Sequence, residues 1–282
     1  LSGAGEKFPP AEPSNAFAYL PLLKIAPLVS IVMPVFNSRW LKEAAASVLG
    51  QSYRNFELIL VDDASSLPLT LEALAALEPE PKIRIIRNPQ NLGISGATNA
   101  GIAAARGEYV AFMDHDDLIH PDALACFART LNDGCDDDVF YTNEMSINSG
   151  GVITGKILKG APSLDLLLSC NAVNHFCIMK KESLLKIGLL NPEFDGAQDH
   201  DLMIRALEHG LKFRHIPCCL YAWRTHHLAT SGGVRAHKLS SGEELPKAYR
   251  SGKKAIRAYL DRNHIKAEVT DDAFFWYRVK YA

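Results

Sequence analysis

The chain has 282 residues, 48% of them apolar and 22% charged, an ordinary globular composition with enough length for one large α/β core or two small ones. A net charge of −2 excludes the broad attraction to nucleic acid or anionic membrane that a strongly basic chain has, so any polyanion must be held locally. No apolar run is long enough to span a bilayer, no signal peptide is visible, and Cys126, Cys135, Cys170, Cys177, Cys218 and Cys219 match no CxxC or zinc spacing. That cysteine usage points to a reducing, cytoplasmic compartment, with adjacent Cys218 and Cys219 read as buried small residues.

Residues 1–27 are rich in Pro and Ala without sustained periodicity and read as a linker or an arm draped over the body. From Leu28 the pattern changes. "LVSIVMPVF" reads as a buried strand and "WLKEAAASVLGQ" as a helix, then "FELILVDD" and "LTLEALAALEP" repeat the alternation. "KIRIIRN", "ISGATNAGIAAARG" and "EYVAFMDHDD" complete a third helix and a fourth strand. Strands alternating with helices of this length imply βαβ units and a mainly parallel sheet. The small residues Gly96, Ala97, Ala100, Gly101 and Ala104 let the third helix lie close to the sheet or to a ligand. The second half is less regular. "DVFYTNEM", "NHFCIMKK", "FRHIPCCLYAWR" and "FFWYRVKY" read as extended, and "SLDLLLS", "ESLLKIG", "QDHDLMIRALEHG" and "LPKAYRSGKKAIRAYLDRN" as helical.

Ligands of open parallel sheets bind beyond the carboxyl ends of the strands. Those ends carry Pro34, Phe36 and Asn37, then Asp62 and Asp63, then Asp114, Asp116 and Asp117. Five acids on one rim repel one another unless a cation or hydrogen-bond donors share the space, which argues for a divalent metal held with a ligand. In extended chain Asp114 and Asp116 share a face, and their hard oxygens suit Mg²⁺ or Mn²⁺. The competing reading is helix capping, with Asp117 or His120 introducing a helix at Pro121. Asp199 and Asp201 have the same alternative, as acids of a first helical turn. The acids of "NDGCDDDVF" read as a solvated turn, and Lys253 and Lys254 as a solvated helix face.

In their order, "VSIVMPVFN", "LILVDDASS", "FMDHDD" and "FDGAQDHDLMIRAL" resemble the family 2 glycosyltransferases of GT-A fold, over about residues 28–230. The resemblance implies a Rossmann-like, mainly parallel sheet with flanking helices: a GT-A domain over 28–235, split into a nucleotide half (28–120) and an acceptor half (121–235), followed by a helix-and-strand extension over 236–282. It implies that Pro34, Phe36 and Asn37 flank the nucleotide, that Asp62 meets the pyrimidine base with Asp63 behind it, and that Asn91 and Gly93 belong to a segment closing over the donor. Thr98 stands where many relatives have arginine, which removes a phosphate contact there. Asp114 is implied at the ribose or metal and Asp116 at the metal. Asp117 is then expected to start the next helix, and His115 to point away from the metal. Asp199 is implied as the base and Asp201 as orienting the acceptor. Arg224 is implied at the diphosphate and His226 as a third metal ligand, with His227 as substitute and Gly232–Gly233 in a closing loop.

The implied reaction is metal-dependent, inverting transfer of a sugar from a UDP- or dTDP-sugar to a hydroxyl of a glycan or lipid-linked glycan. "LDLLLSCNAVNHFCIMKKESLLKIGLL" narrows the likeness to transferases of bacterial surface polysaccharide. These work in the cytoplasm, at most peripherally at the inner face of the membrane. The start at Leu1 and the tail "AEVTDDAFFWYRVKY" are read as those of a module from a chain with further transferase domains. A dehalogenase-type phosphatase also uses DxD, but at the first strand of its domain, and a dinucleotide-binding dehydrogenase needs a GxGxxG that is missing here. A scaffold that kept the fold without catalysis needs neither DxD nor QDHD.

Overall fold

The computed structural model describes residues 6–8, 23–226, 246–272 and 276–282. The apolar runs of the first half become β1 (Val29–Val35), β2 (Phe56–Asp62), β3 (Ile83–Arg87) and β4 (Tyr109–Phe112). Between them lie α1 (Leu41–Leu49), α2 (Pro68–Leu77) and α3 (Gly93–Ala104). These strands pair in parallel in the order β3-β2-β1-β4. β1 is buried along almost its whole length, as a strand covered on both faces must be. Its pairing with β4 stops at Val32 opposite Phe112, so Pro34 lies past the end of β4, where its missing N–H costs no ladder bond. Gly101 explains the small-residue face of α3. A Cβ there would stand 2.4 Å from Val32 Cγ1, so only glycine lets the helix lie this close to the sheet.

The second half adds β5 (Leu118–Ile119), α4 (Ala123–Asn132), β6 (Val139–Ile147), β7 (Ile153–Ile157), α5 (Leu164–Leu167), β8 (Cys177–Lys180), α6 (Lys181–Ile187), α7 (Gln198–Glu208) and β9 (Phe213–Arg224). α8 (Lys247–Arg262) and the antiparallel pair β10 (Ala267–Asp271) and β11 (Tyr277–Tyr281) follow. The sheet continues β4-β8-β6-β9-β5, with β7 on β6. β6 and β9 run with the first four strands, while β8, β5 and β7 run against them. The result is the mixed, mostly parallel GT-A-like sheet with flanking helices.

Several local expectations are corrected. Residues 114–117 form a tight turn, closed by Asp117 N to Asp114 O at 3.4 Å, rather than the end of an extended strand. Asp117 therefore starts no helix. β5 intervenes, and α4 begins only at Ala123, where His120 Nδ1 accepts from Asp122 N at 3.2 Å. Cys218 is exposed and Cys219 only half-buried. The register of β9 on β6 jumps from Ile216 to Cys219, and that bulge carries Pro217 and Cys218 out of the ladder. Among the acids of 132–140, Asp133 and Asp136 are exposed as expected. Asp137 instead binds Arg214 at 2.8 Å, and Asp138 accepts from Ser183 Oγ at 2.6 Å and Lys212 N at 2.9 Å, fastening β6 to its neighbours. Lys253 is likewise engaged, at 3.0 Å from Asp271. In the arm, Glu6 and Phe8 bond to Ile153 and Gly151, and Phe8 packs on Ile147 and Ala222. No helix among the described residues is long and apolar enough to cross a membrane.

Candidate active site

A cavity of about 960 Å³ opens beyond the carboxyl ends of β1 and β4 and runs to the start of α7. Pro34, Phe36, Asn37, Asn91, Gly93, Asp114, Asp116, Asp199 and His226 line it, so the structure gathers most of the expected residues in one place. Phe36 is an exposed ring on this wall. Asn37 does structural work as well. Held at φ +49°, its Oδ1 accepts from Ser66 N and Leu67 N just before α2. Asp63 lines the cavity, whereas Asp62 lies behind it, buried and accepting from Ser65 N at 3.0 Å. Asp63 takes Leu92 N at 2.9 Å and Gly93 N at 3.0 Å, which pins the start of α3. Gly93 has φ +77°, and a Cβ there would meet Asp195 Oδ2 at 2.3 Å.

One carboxylate oxygen each of Asp114, Asp116 and Asp117 lies within 4.8 Å of the others. Their surroundings separate them. Asp114 is half-exposed, with His175 Nε2 3.6 Å from Oδ2. Desolvation, with the charge of Asp116, lifts its carboxyl above the ordinary value. Asp116 accepts from His226 Nε2 at 2.7 Å. Desolvation opposes its charge, but that bond and the neighbouring histidines prevail and hold its carboxyl below the ordinary value. Asp117 is fully enclosed, with Tyr221 OH on one oxygen at 2.6 Å and Arg224 N on the other at 2.6 Å. Burial beside two other aspartates pushes it well up. His115 lines the cavity, with Nδ1 buried and unbonded, and stands outside the cluster of the three aspartates.

Besides Asp62, two expected residues do not line the cavity. Arg224 is enclosed, its guanidinium spent on Asp116 O at 2.6 Å, Ser149 O at 3.1 Å and Glu43 Oε2 at 2.9 Å, beside the Trp40 ring. It holds the 114–117 turn and has no fork to offer a phosphate. Asp201 is 1% exposed and bound to Arg205 Nε at 2.8 Å, while Arg205 also grips the carbonyls of Ile187, Gly188 and Leu189. It secures α7 to the preceding loop rather than facing an acceptor. His227 and the Gly232–Gly233 loop lie outside the described residues.

Asp199 stands in the first turn of α7, where acids are favoured by the exposed N–H groups. Its Oδ1 accepts from His200 N at 2.9 Å, and its Oδ2 from Asn171 and Asn174 side-chain amides at 2.9 and 2.6 Å. Sequence reasoning missed these asparagines and a neighbouring network. Glu144, buried on β6, accepts from His175 N at 2.7 Å and lies 3.5 Å from His175 Nδ1 and 3.7 Å from Lys159 Nζ. Desolvation opposes the imidazolium, but Glu144 and Asp114 outweigh it and push the His175 pKa up to about 10. The available signal was Glu144 itself: an acid inside the apolar strand "DVFYTNEM" must be paired.

The family model described as Glycosyl transferase family 2 matches residues 30–187, more than half of the chain. The chain belongs to glycosyl transferase family 2. It is a glycosyltransferase. The O-antigen biosynthesis protein RfbC of Myxococcus xanthus is 36% identical over 275 residues, covering 96% of this chain and 21% of that protein. The putative glycosyltransferase EpsE of Bacillus subtilis is 30% identical over 203 residues, 70% of this chain and 73% of that one. Chondroitin synthase of Pasteurella multocida is 30% identical over 193 residues, 67% of this chain and 20% of that one. The chain thus spans about a fifth of RfbC. Among solved structures, TarS 1–349 of S. aureus in complex with UDP-GlcNAc superposes with TM-score 0.60 at 19% identity, over 82% of this chain and 66% of that one. The shared fold agrees with the sheet described above.

Proposed function

We propose that this family 2 domain moves a sugar from a nucleoside diphosphate sugar to a hydroxyl of a growing glycan by one displacement that inverts the anomeric centre. The observation that carries this reading is the single cavity lined by both Asp199 and the Asp114–Asp116 pair. Asp199 takes the hydroxyl proton as the acceptor oxygen bonds to the anomeric carbon and the bond to the diphosphate oxygen breaks. Phe36, Asn37, Asn91, Gly93 and Asp114 form the donor end, with Asp63 on the cavity wall toward the nucleobase and Asp62 buried behind it. The domain is taken as residues 28–235, with 236–282 as an extension.

The donor set fits a hard divalent cation, Mn²⁺ or Mg²⁺. Asp114 and Asp116 would hold it, and His226 could join by exchanging its bond to Asp116. Asp117 is fully enclosed, with Tyr221 OH on one oxygen and Arg224 N on the other, so it is assigned to holding the turn rather than the ion. When bound, such an ion neutralises charge on the departing diphosphate.

UDP and UDP-GlcNAc in complexes of TarS support a uridine or thymidine diphosphate donor. The likeness to RfbC supports a surface-polysaccharide acceptor, work at the cytoplasmic side of the membrane and further domains in a longer chain. A panel of UDP- and dTDP-sugars, scored for thermal stabilisation and diphosphate release with and without Mn²⁺, tests this. Stabilisation and release that require the metal, are lost in Asp199→Asn for release only, and give a product of inverted anomeric configuration are expected. Release undiminished by Asp199→Asn would sink the reading.

A further inference from the structure

We infer that Asn171 and Asn174 are positioning residues for Asp199, and that they assign acceptance of the proton to its Oδ1. The inference rests on Asp199 being the base proposed above.

A carboxylate oxygen has two in-plane lone pairs. Oδ2 of Asp199 receives Asn171 Nδ2 at 2.9 Å and Asn174 Nδ2 at 2.6 Å, which fill both. Oδ1 receives His200 N at 2.9 Å and keeps one lone pair for an incoming hydrogen. The amide orientation follows from chemistry, since either asparagine turned over would set its carbonyl oxygen against the carboxylate.

Both asparagines come from the segment between α5 and β8, not from α7, and both line the cavity. A side chain in a first helical turn is free to change rotamer. Two donors from a separate segment remove that freedom and hold the carboxylate plane against the cavity. Asn171 Oδ1 is buried without a bonding partner in the protein. It is a waiting acceptor beside the base, suited to a second hydroxyl of the acceptor molecule. In the reaction the acceptor's hydroxyl hydrogen passes to Asp199 Oδ1, its oxygen forms the new bond to the anomeric carbon, and the diphosphate leaves with the electron pair of the broken bond.

The segment does not depend on these amides for its place. Tyr277 N bonds to Ser169 O at 2.8 Å, and Lys159 Nζ to Val173 O at 3.0 Å. Alanine variants are therefore expected to fold.

The test measures diphosphate release from a panel of UDP- and dTDP-linked hexoses with Mn²⁺, for the parent, Asp199→Asn, the double variant Asn171→Ala/Asn174→Ala, and all three changes together. The double variant is expected to lose about 100-fold in kcat, the scale of a misplaced reacting group, with donor KM within about twofold. Its melting midpoint should stay within about 3 °C of the parent. In the Asp199→Asn background the asparagine changes should cost nothing further, because they act through the carboxylate. If the double variant keeps the parental kcat while Asp199→Asn does not, the positioning role fails and the base survives. An equal loss in both backgrounds shows a structural role and also overturns the inference. Parental release by Asp199→Asn, or no release by the parent from any donor, overturns the base reading and this inference together.

Discussion

The tripeptide Asp-His-Asp occurs twice, at 114–116 and at 199–201, and the two copies come to different ends. In the tight turn after β4, Asp114 and Asp116 converge on the cavity, and Asp117 folds back beside them. In the first turn of α7, Asp199 reaches the cavity while Asp201 enters the core and binds Arg205. Positions two apart on a helix point about 200° from each other, so one spacing that gathers acids in one backbone separates them in another. The first copy thus brings both its aspartates to the cavity and leaves anchorage to Asp117, whereas the second sends one aspartate to the cavity and one to the core, a division made by backbone geometry and not by residue type.

Substitutions that exchange the roles break this comparison. The largest effect is expected for Asp199→Asn, which keeps the shape and removes the proposed base: kcat for diphosphate release should fall by about 10²–10⁴ with the melting midpoint unchanged. Asp117→Ala should do the reverse, stranding Tyr221 OH and Arg224 N inside the protein at a cost of about 4 kcal/mol in chemical denaturation. Asp201→Ala leaves Arg205 without its carboxylate partner and should cost about 3 kcal/mol, while the kcat of the folded fraction stays near parental. A large kcat loss in Asp201→Ala would return that residue to the acceptor site and undo the contrast.

The smallest effect sharpens it at the other end of α7. Glu208 bonds Arg262 at 2.8 Å and Asn263 at 2.7 Å, tying α7 to α8. Desolvation opposes its charge, but those partners prevail and hold its pKa below the ordinary 4.5. An acid depressed in the folded state adds stability above its unfolded value and loses it as pH falls through the folded one. Glu208→Gln should therefore flatten the acid limb of a melting-against-pH profile below pH 4.5, by under about 1 kcal/mol for so solvated a pair, and leave kcat alone.

The elements of the first half were readable because each is specified locally. The β-branched runs 29–35 and 56–62 and the helix-period stretch 41–49 carry their own signal, and the parallel order follows from their alternation. Family likeness then located Asp116 and Asp199. The two-residue β5, the edge strand β7 and the exposure of Cys218 were not readable, since short strands and bulges exist only against a partner strand. Arg224 shows the same limit within the site. Family likeness suggested phosphate, yet Asp116 O, the 148–149 carbonyls and Glu43 engage all three of its guanidinium nitrogens.

By itself, then, the sequence determined the βαβ alternation, the acids at the strand ends and the family to which they belong, because periodicity and motif order are properties of adjacent residues. Only the tertiary structure decided which acids are free to react. Availability of a carboxylate depends on partners far away in the chain. Tyr221 and Arg224 silence Asp117, Arg205 holds Asp201 in the core, and Asn171 and Asn174 turn Asp199 toward the cavity with one oxygen open.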